Sequence, residues 1–272
     1  RALGRQDGSV PPSALVPEQL EEHMALKAPR LKDPDVIVRL ARNATEVSEA
    51  NRLVCRNYID EGYWDTDEPF RKNRHMHSES RTVFVAEKKG RIIGTASVVR
   101  DSREGLPADK SYQAELRRFR ANGERLAEVS SLAVDKEFSG QHKNLVIFLF
   151  KYLYQHSFYY AHLDRFIVTC VARHTLFYKS VYRFEQLTGE TSSSYVKDDV
   201  RLVLLTLPLL KAHKWYFEQY ELGIDDVRDS YYRFMLVDEH PNLEFPDKAL
   251  MLRRREIDWV AQAALQDLPL AG

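Results

Sequence analysis

The sequence predicts a mixed α/β (α+β) domain, a central mixed sheet flanked by helices, with a helical extension at the C-terminal end. Three observations predict it. Between residues 36 and 208, short β-branched and apolar runs alternate with stretches of helical spacing. A Lys-Lys-Gly-Arg joint at 88–91 reads as the turn of a hairpin. After Pro208 the strand-like runs give way to stretches such as KAHKWYFEQYEL and DKALMLRRREIDWVAQAALQDL. The 272 residues suit one large domain with appendages. The expected division is a flexible tail over 1–35, a domain over 36–208 and a helical extension over 209–272.

Residues 1–35 carry Pro11, Pro12, Pro17, Pro29 and Pro34, which discourage regular structure beyond a short helix at 18–27. A strand follows at 36–42. A helix fits 45–62, with Thr45 as its cap and Gly62 at its end. The polar stretch 64–81 reads as a loop. Strands fit 82–90 and 91–102, a short helix 110–121, and a strand 125–135. FSGQHK at 138–143 reads as a loop before a long helix over about 144–162. A strand at 165–172, a helix at 173–182 and strands at 184–190 and 200–207 complete the pattern, and Pro208 stops the last.

Forty Lys and Arg balance forty Asp and Glu, so net charge gives no signal for nucleic acid or an anionic membrane. The longest apolar run, Leu145 to Phe150, is too short to cross a bilayer. No secretory apolar region is read, and the cytoplasm is the expected location. Cys55 and Cys170 have no metal-ligand spacing, and no metal is expected. They read as reduced core thiols, with a catalytic cysteine as the alternative.

The stretch AEVSSLAV at 127–134 is a strand with a carboxylate inside it. Buried, Glu128 needs hydrogen-bond partners or must keep its proton.

Four segments in order resemble the long-chain N-acyl amino acid synthases: RLVCRNYIDEGY at 52–63, GTASVVRDSREGLPAD at 94–109, LAEVSSLAVD at 126–135 and ARHTLFYKSVYRFE at 172–185. That family is a branch of the Gcn5-related N-acyltransferase fold and a relative of the acyl-homoserine lactone synthases. The element order is also the order of that fold. The lactone synthases usually carry Arg near the positions of Ser97 and Ser131, and an acidic pair in the loop before the second strand. Here serines stand instead, and the loop holds Arg74, His75 and His77, so lactone synthesis is not expected. Cys55 and Ala172 replace residues expected to be aromatic and proline.

The resemblance implies an N-acyltransferase that moves a fatty acyl group from an acyl carrier protein or acyl-CoA thioester to the α-amine of an amino acid. No cofactor is covalently bound; the acyl-phosphopantetheine donor is a co-substrate. An amine is mostly ammonium at neutral pH, so a base must take its proton. Glu128 is the candidate, and a carboxylate held in a structural network is the alternative. The fold implies that the strand after Glu128 splays from its neighbour, so that backbone groups around Leu132, Ala133 and Val134, with Ser130 and Ser131, receive pantetheine. Tyr178 is the candidate thiolate-protonating acid, with packing as its alternative. His174 is a candidate proton relay or a satisfied helix-start histidine.

Ser139, Gly140, Lys143 and Asn144 open the long helix and are candidates for a phosphate cradle, an ordinary polar helix start being the alternative. A single glycine there hints at a carrier-protein donor. Phe148 is assigned to the acyl side, among aromatics that either fill the core or line an acyl tunnel. Tyr58, Trp64, Ser97 and Arg173 are assigned to the acceptor. Arg117, Arg118, Arg120 and Arg125, or Arg253 to Arg255, are candidate docking sites for an acidic carrier protein. The rival readings are a CoA-dependent N-acetyltransferase of the same fold and a non-catalytic ligand-binding or interaction module.

Overall fold

The computed structural model describes residues 28–31, 33–140, 144–192, 196–197, 199–221, 228 and 230–245. Strand β1 (Val36–Leu40) leads into helix α1 (Ala44–Asp60). The cap is Asn43 rather than Thr45: its extended backbone lets the side chain accept from the Glu46 N–H at 3.0 Å. Gly62 follows the helix at φ 74°, where a Cβ would be strained.

The stretch expected as a loop at 64–81 holds helix α2 (Glu68–Lys72) and a 3₁₀ turn, Arg74–His77. Proline in its first turn favours α2, and the Asn73 side chain caps the 3₁₀ turn through the His75 N–H.

The hairpin is as expected. Strands β2 (Arg81–Lys88) and β3 (Arg91–Arg100) are joined by Lys89 and Gly90 at φ 50° and 81°, the two positive angles of a tight hairpin turn. Helix α3 (Asp109–Ala121), strand β4 (Leu126–Val134) and the short helix α4 (Lys136–Ser139) come next; α4, capped by Asp135, stands at the start of the stretch expected as a loop.

Helix α5 (Leu145–Gln155) passes into a π-helical turn, His156–Tyr160. Strand β5 (Arg165–Val171) leads through a 3₁₀ turn into α6 (Thr175–Tyr182). Strand β6 (Glu185–Gln186) is far shorter than the expected 184–190, because the chain bends: the Gln186 side chain donates to the Thr188 carbonyl. Strand β7 (Leu202–Pro208) ends at the proline, which opens α7 (Leu209–Tyr220).

The extension is not helical throughout. After a π-helical turn at Arg233–Val237, strand β8 (Leu243–Glu244) pairs parallel with β1. β1 offers an unpaired edge there, and the Asn242 side chain fixes the approach by donating to the Asp33 and Val36 carbonyls. The expected helix at 18–27 and DKALMLRRREIDWVAQAALQDL lie outside the described residues.

Among the described residues the strands form one mixed sheet in the order β6-β7-β5-β4-β3-β2-β1-β8. One face packs on α5, α6, α7 and the Arg233–Val237 turn around Phe84, Phe150, Tyr154, Phe166 and Tyr216. The other face carries two separate cores. One, under α1, centres on Leu53, Val54 and Val85; the other, under α3, centres on Val99, Leu116 and Ile167.

Two irregularities in β4 open the middle of the sheet. Between Ser97 and Thr95 of β3 the register slips, so Ser131 and Leu132 face one residue of the partner, and Ser131 takes φ 55°. On its other edge β4 pairs parallel with β5 only through Leu126↔Arg165, Ala127↔Phe166 and Glu128↔Ile167. Beyond that point β4 stays with β3 to Val134 and β5 stays with β7 to Val171. The two central strands therefore part immediately after Glu128.

Candidate active site

Glu128 sits at the vertex of that opening, on the face between the α1 and α3 cores, and is 4% exposed. Its Oε2 accepts from the Ala108 N–H at 2.6 Å, at the entry to α3. Burial pushes the carboxyl up to about 8, against the opposing effect of the Ala108 N–H and the Thr169 hydroxyl, which favour the charged form. A carboxyl so poised takes and returns a proton near neutral pH.

Tyr58 on α1 lies within electrostatic reach of Glu128 and Cys170, and Tyr178 on α6 within reach of Cys170 and Tyr58. Four groups from α1, β4, β5 and α6 thus converge across the split. Burial raises Tyr58 to about 12 and Tyr178 further, so both hydroxyls keep their protons at neutral pH. Burial also pushes the Cys170 thiol up to about 12, as suits a protonated core thiol.

His174 belongs to a second group at the rim. Arg173 donates to the Tyr63 hydroxyl at 2.5 Å and to Glu61 at 2.8 Å. The Tyr63 hydroxyl, which accepts from Arg173, also shares a hydrogen bond with His174 Nε2 at 2.9 Å. Burial and then Arg173 lower the His174 pKa, which favours the neutral imidazole. Arg173, assigned to the acceptor, is held through Nη2 by Glu61 and Tyr63. Tyr63 was not singled out from the sequence, although it closes the Gly-Tyr pair of the first matching segment.

Trp64 lies tilted against Tyr58 with ring centroids 4.6 Å apart and meets Phe70 at 6.2 Å, so the three rings form one aromatic wall. Ser97 is fully buried and its hydroxyl accepts from Arg81 at 2.8 and 3.1 Å. Ser130 projects from the same sheet face as Glu128, with its Oγ buried and unpartnered. Ser131 donates to the Met76 sulfur at 3.5 Å. Leu132 is half-buried and Ala133 packs under α1. The Val134 carbonyl accepts from Asn57 Nδ2 at 2.8 Å.

One further expectation is corrected, and two groups of candidates are placed. Phe148 is wholly enclosed, ring to ring with Phe234 at 5.1 Å and His240 at 4.6 Å, on the sheet face opposite Glu128. It fills the core beneath the C-terminal segment. Its neighbours on α5 and the π-helical turn do the same: Tyr152, Tyr154 and Tyr159 donate to the carbonyls of Glu244, Leu209 and Leu236. The cradle residues are also engaged locally. Ser139 donates to the Lys136 carbonyl and Asn144 to the Arg30 carbonyl, while Gly140 ends α4; Lys143 lies outside the described residues. Finally, Arg120 is held by Asp101 and Asp109, and Arg125 by Asp164. Arg117 and Arg118, the other two of that group, are exposed, and Arg253 to Arg255 lie outside the described residues.

A cleft of about 860 Å³ runs beside the site, between the Arg74–His75 turn and the 102–107 loop. Leu106 and Pro107, which line it, lead directly to Ala108. No helix among the described residues is long and apolar enough to cross a membrane.

A mixed sheet whose parallel central strands part at a buried carboxyl, with helices on both faces, defines an acyltransferase of the Gcn5-related N-acyltransferase fold. The chain belongs to the family described as N-acyl amino acid synthase FeeM, whose model matches residues 49–208. Among solved structures it is similar to FeeM, an N-acyl amino acid synthase from uncultured soil microbes, at 26% identity and a TM-score of 0.58, over 65% of this chain and 93% of that one. An acetyltransferase from Streptococcus agalactiae aligns at 13% identity and a TM-score of 0.44, over 64% of this chain and 98% of that one. A spermidine N-acetyltransferase from Vibrio cholerae, in complex with CoA and spermine, aligns at 14% and 0.44, over 66% and 99%. No curated protein matches.

Proposed function

We propose that this acyltransferase moves a fatty acyl group from the phosphopantetheine thioester of an acyl carrier protein, or of CoA, to the α-amine of an amino acid. The observation that carries this reading is the parting of β4 and β5 just after Glu128. An acyl-pantetheine arm entering the gap meets β4 as an added strand would, which sets its thioester beside a carboxyl that titrates near neutral pH.

In this reading Glu128 takes the proton of the incoming ammonium. The neutral amine attacks the thioester carbonyl, backbone N–H groups of the open β4 edge stabilise the oxyanion, and the C–N bond forms. As the C–S bond breaks, Tyr178 protonates the leaving thiolate and is reprotonated by the second proton that the new amide nitrogen releases, while Glu128 returns its own proton to solvent. His174, neutral and held by Tyr63, is a relay to the rim. The location that goes with this reading is the cytoplasm, where such thioester donors reside.

The test is to offer the purified protein acyl carrier protein and CoA, each loaded with acetyl and with longer chains, together with a mixture of amino acids, and to identify products by mass spectrometry. N-acyl amino acids from a long-chain donor are expected. Turnover with acetyl-CoA alone, on amines that are not amino acids, overturns the reading.

A further inference from the structure

On the sheet face that carries Glu128, a half-buried guanidinium stands without a counter-ion among the described residues. Arg81, the first residue of β2, lies in one row across the sheet with Val99, Glu128 and Ile167. Val99 and Ile167 belong to the core under α3, so Arg81 and Glu128 rise from the same face. The Arg81 side chain turns toward α1 and is held by neutral acceptors: Ser97 Oγ through Nε and Nη2, Asn51 Oδ1 at 3.0 Å and the Met76 carbonyl at 2.9 Å, both through Nη1. Phe70 lies over it at 5.9 Å. Among the described residues no carboxylate pairs with it, and burial alone pulls it down to about 10.

Leaving a cation buried among neutral groups costs several kcal/mol, which apolar packing at this position would avoid. The geometry also leaves a donor over. A guanidinium has five N–H bonds, and the contacts to Ser97, Asn51 and Met76 use four. One Nη2 hydrogen remains, and Arg81 is not fully closed off from solvent. Beside it, Ser130 stands directly across the register from Ser97 and keeps a buried hydroxyl without a partner. Ser130 is two residues along β4 from Glu128, on the same face, a separation of about 6.6 Å.

We propose that Arg81 and Ser130 receive the carboxylate of the acceptor, which turns its amine toward Glu128. The proposal rests on the amino-acid acceptor of the preceding reading and deepens it. An α-amino acid carries its amine and carboxylate on one carbon, so a cation and a hydroxyl one row from a base match both ends of it. The planar fork of Arg suits a carboxylate, and Ser97 and Asn51 fix the fork before the ligand arrives. Ser97 thereby acts on the acceptor through Arg81, as a positioning residue. An amine without a carboxylate would leave Arg81 unpaired, so the site selects against it.

The experiment compares an amino acid with its primary carboxamide as acceptor, using whichever donor the wild type accepts. The expected result is that Arg81→Gln raises KM for the acid about 100-fold, while KM for the carboxamide and for the donor changes less than about threefold. Because Arg81→Gln also loosens the Met76 turn, Ser130→Ala is the second arm. It removes a hydroxyl the fold does not use, and is expected to leave the melting temperature unchanged and to raise KM for the acid about tenfold. Equal losses for acid and carboxamide in both variants, or no loss in either, overturn this proposal while leaving amino-acid acylation standing. A wild type that acylates only amines lacking a carboxylate overturns the functional reading and this one together.

Discussion

The main-chain N–H of Ala108 donates to Oε2 of Glu128 across 2.6 Å, and so ties the entry of α3 to the point where the central strands separate. One hydrogen bond cannot offset the burial of a carboxylate, and the group therefore holds its proton up to about 8. For a base, this predicts a rate that rises with pH. In wild type kcat/KM for the acceptor is expected to climb through a limb near pH 8. Glu128→Gln should lose that limb and fall about 100-fold or more, retaining only the ionisation of the amine itself. A profile unchanged by the substitution would show that Glu128 is not the base.

The same shift predicts a pH dependence of stability. Between about 4.5 and about 8 the folded state keeps a proton that the unfolded chain has released, so stability falls as pH rises through this window and levels off above it. Glu128→Gln, which still offers an acceptor to Ala108, should flatten the slope. At pH 9 it is expected to gain on the order of 4 kcal/mol over wild type in urea unfolding, and little at pH 4.

Tyr178 is packed by Phe177, Tyr182 and Phe184, and its hydroxyl makes no hydrogen bond to the described residues. Tyr178→Phe should therefore keep the melting temperature within about 2 °C while lowering kcat by about 10- to 100-fold, with KM unchanged. Steady-state kinetics beside a thermal melt separate this from a packing role.

Phe148, which the sequence suggests for the acyl chain, fills the core against Phe234 and His240. Phe148→Leu should cost about 1–2 kcal/mol in denaturant unfolding and leave the ranking of donor chain lengths as it was. A changed ranking at unchanged stability would return the residue to the acyl path.

Gly94 marks a close approach of α5 to the sheet. A Cβ there would stand 3.2 Å from the side chains of both Leu145 and Leu149 and 3.3 Å from Ala86. Gly94→Ala is expected to destabilise by about 1–3 kcal/mol as α5 is pushed outward, read by the shift in urea midpoint.

Where the sequence carried a local signal, the structure agreed with it. Lys89-Gly90 supplied the two positive φ angles of the hairpin, Gly62 ended α1, and Pro208 closed β7. The caps were less legible: Thr45 looked suitable, but Asn43 has the extended backbone and reaches the Glu46 N–H. Strand β8 was not legible at all, since two residues carry no periodicity and pair only because β1 has an edge to offer.

The site divides in the same way. Glu128 stood out as a charge inside an apolar strand, which is a pattern along the chain. Arg81 did not, because an arginine at the head of a strand is ordinary until its neighbours are known. Ser97 and Ser130 are far apart along the chain and meet only through the register of β3 and β4. Ser139 and Asn144 were expected at a phosphate cradle from their place before α5, whereas the bonds of their side chains to the Lys136 and Arg30 carbonyls were not legible.

By itself, then, the sequence determined the order of the main strands and helices between 36 and 208, the family resemblance and a carboxylate inside an apolar strand, because periodicity, turn chemistry and residue type are properties of short stretches. The tertiary structure alone decided that β4 and β5 part at Glu128, that the Ala108 N–H reaches it, and that Arg81 is left without a counter-ion among the described residues. Those facts depend on which strands become neighbours and on what is shut away from water, and desolvation and pairing exist only once distant segments are packed together.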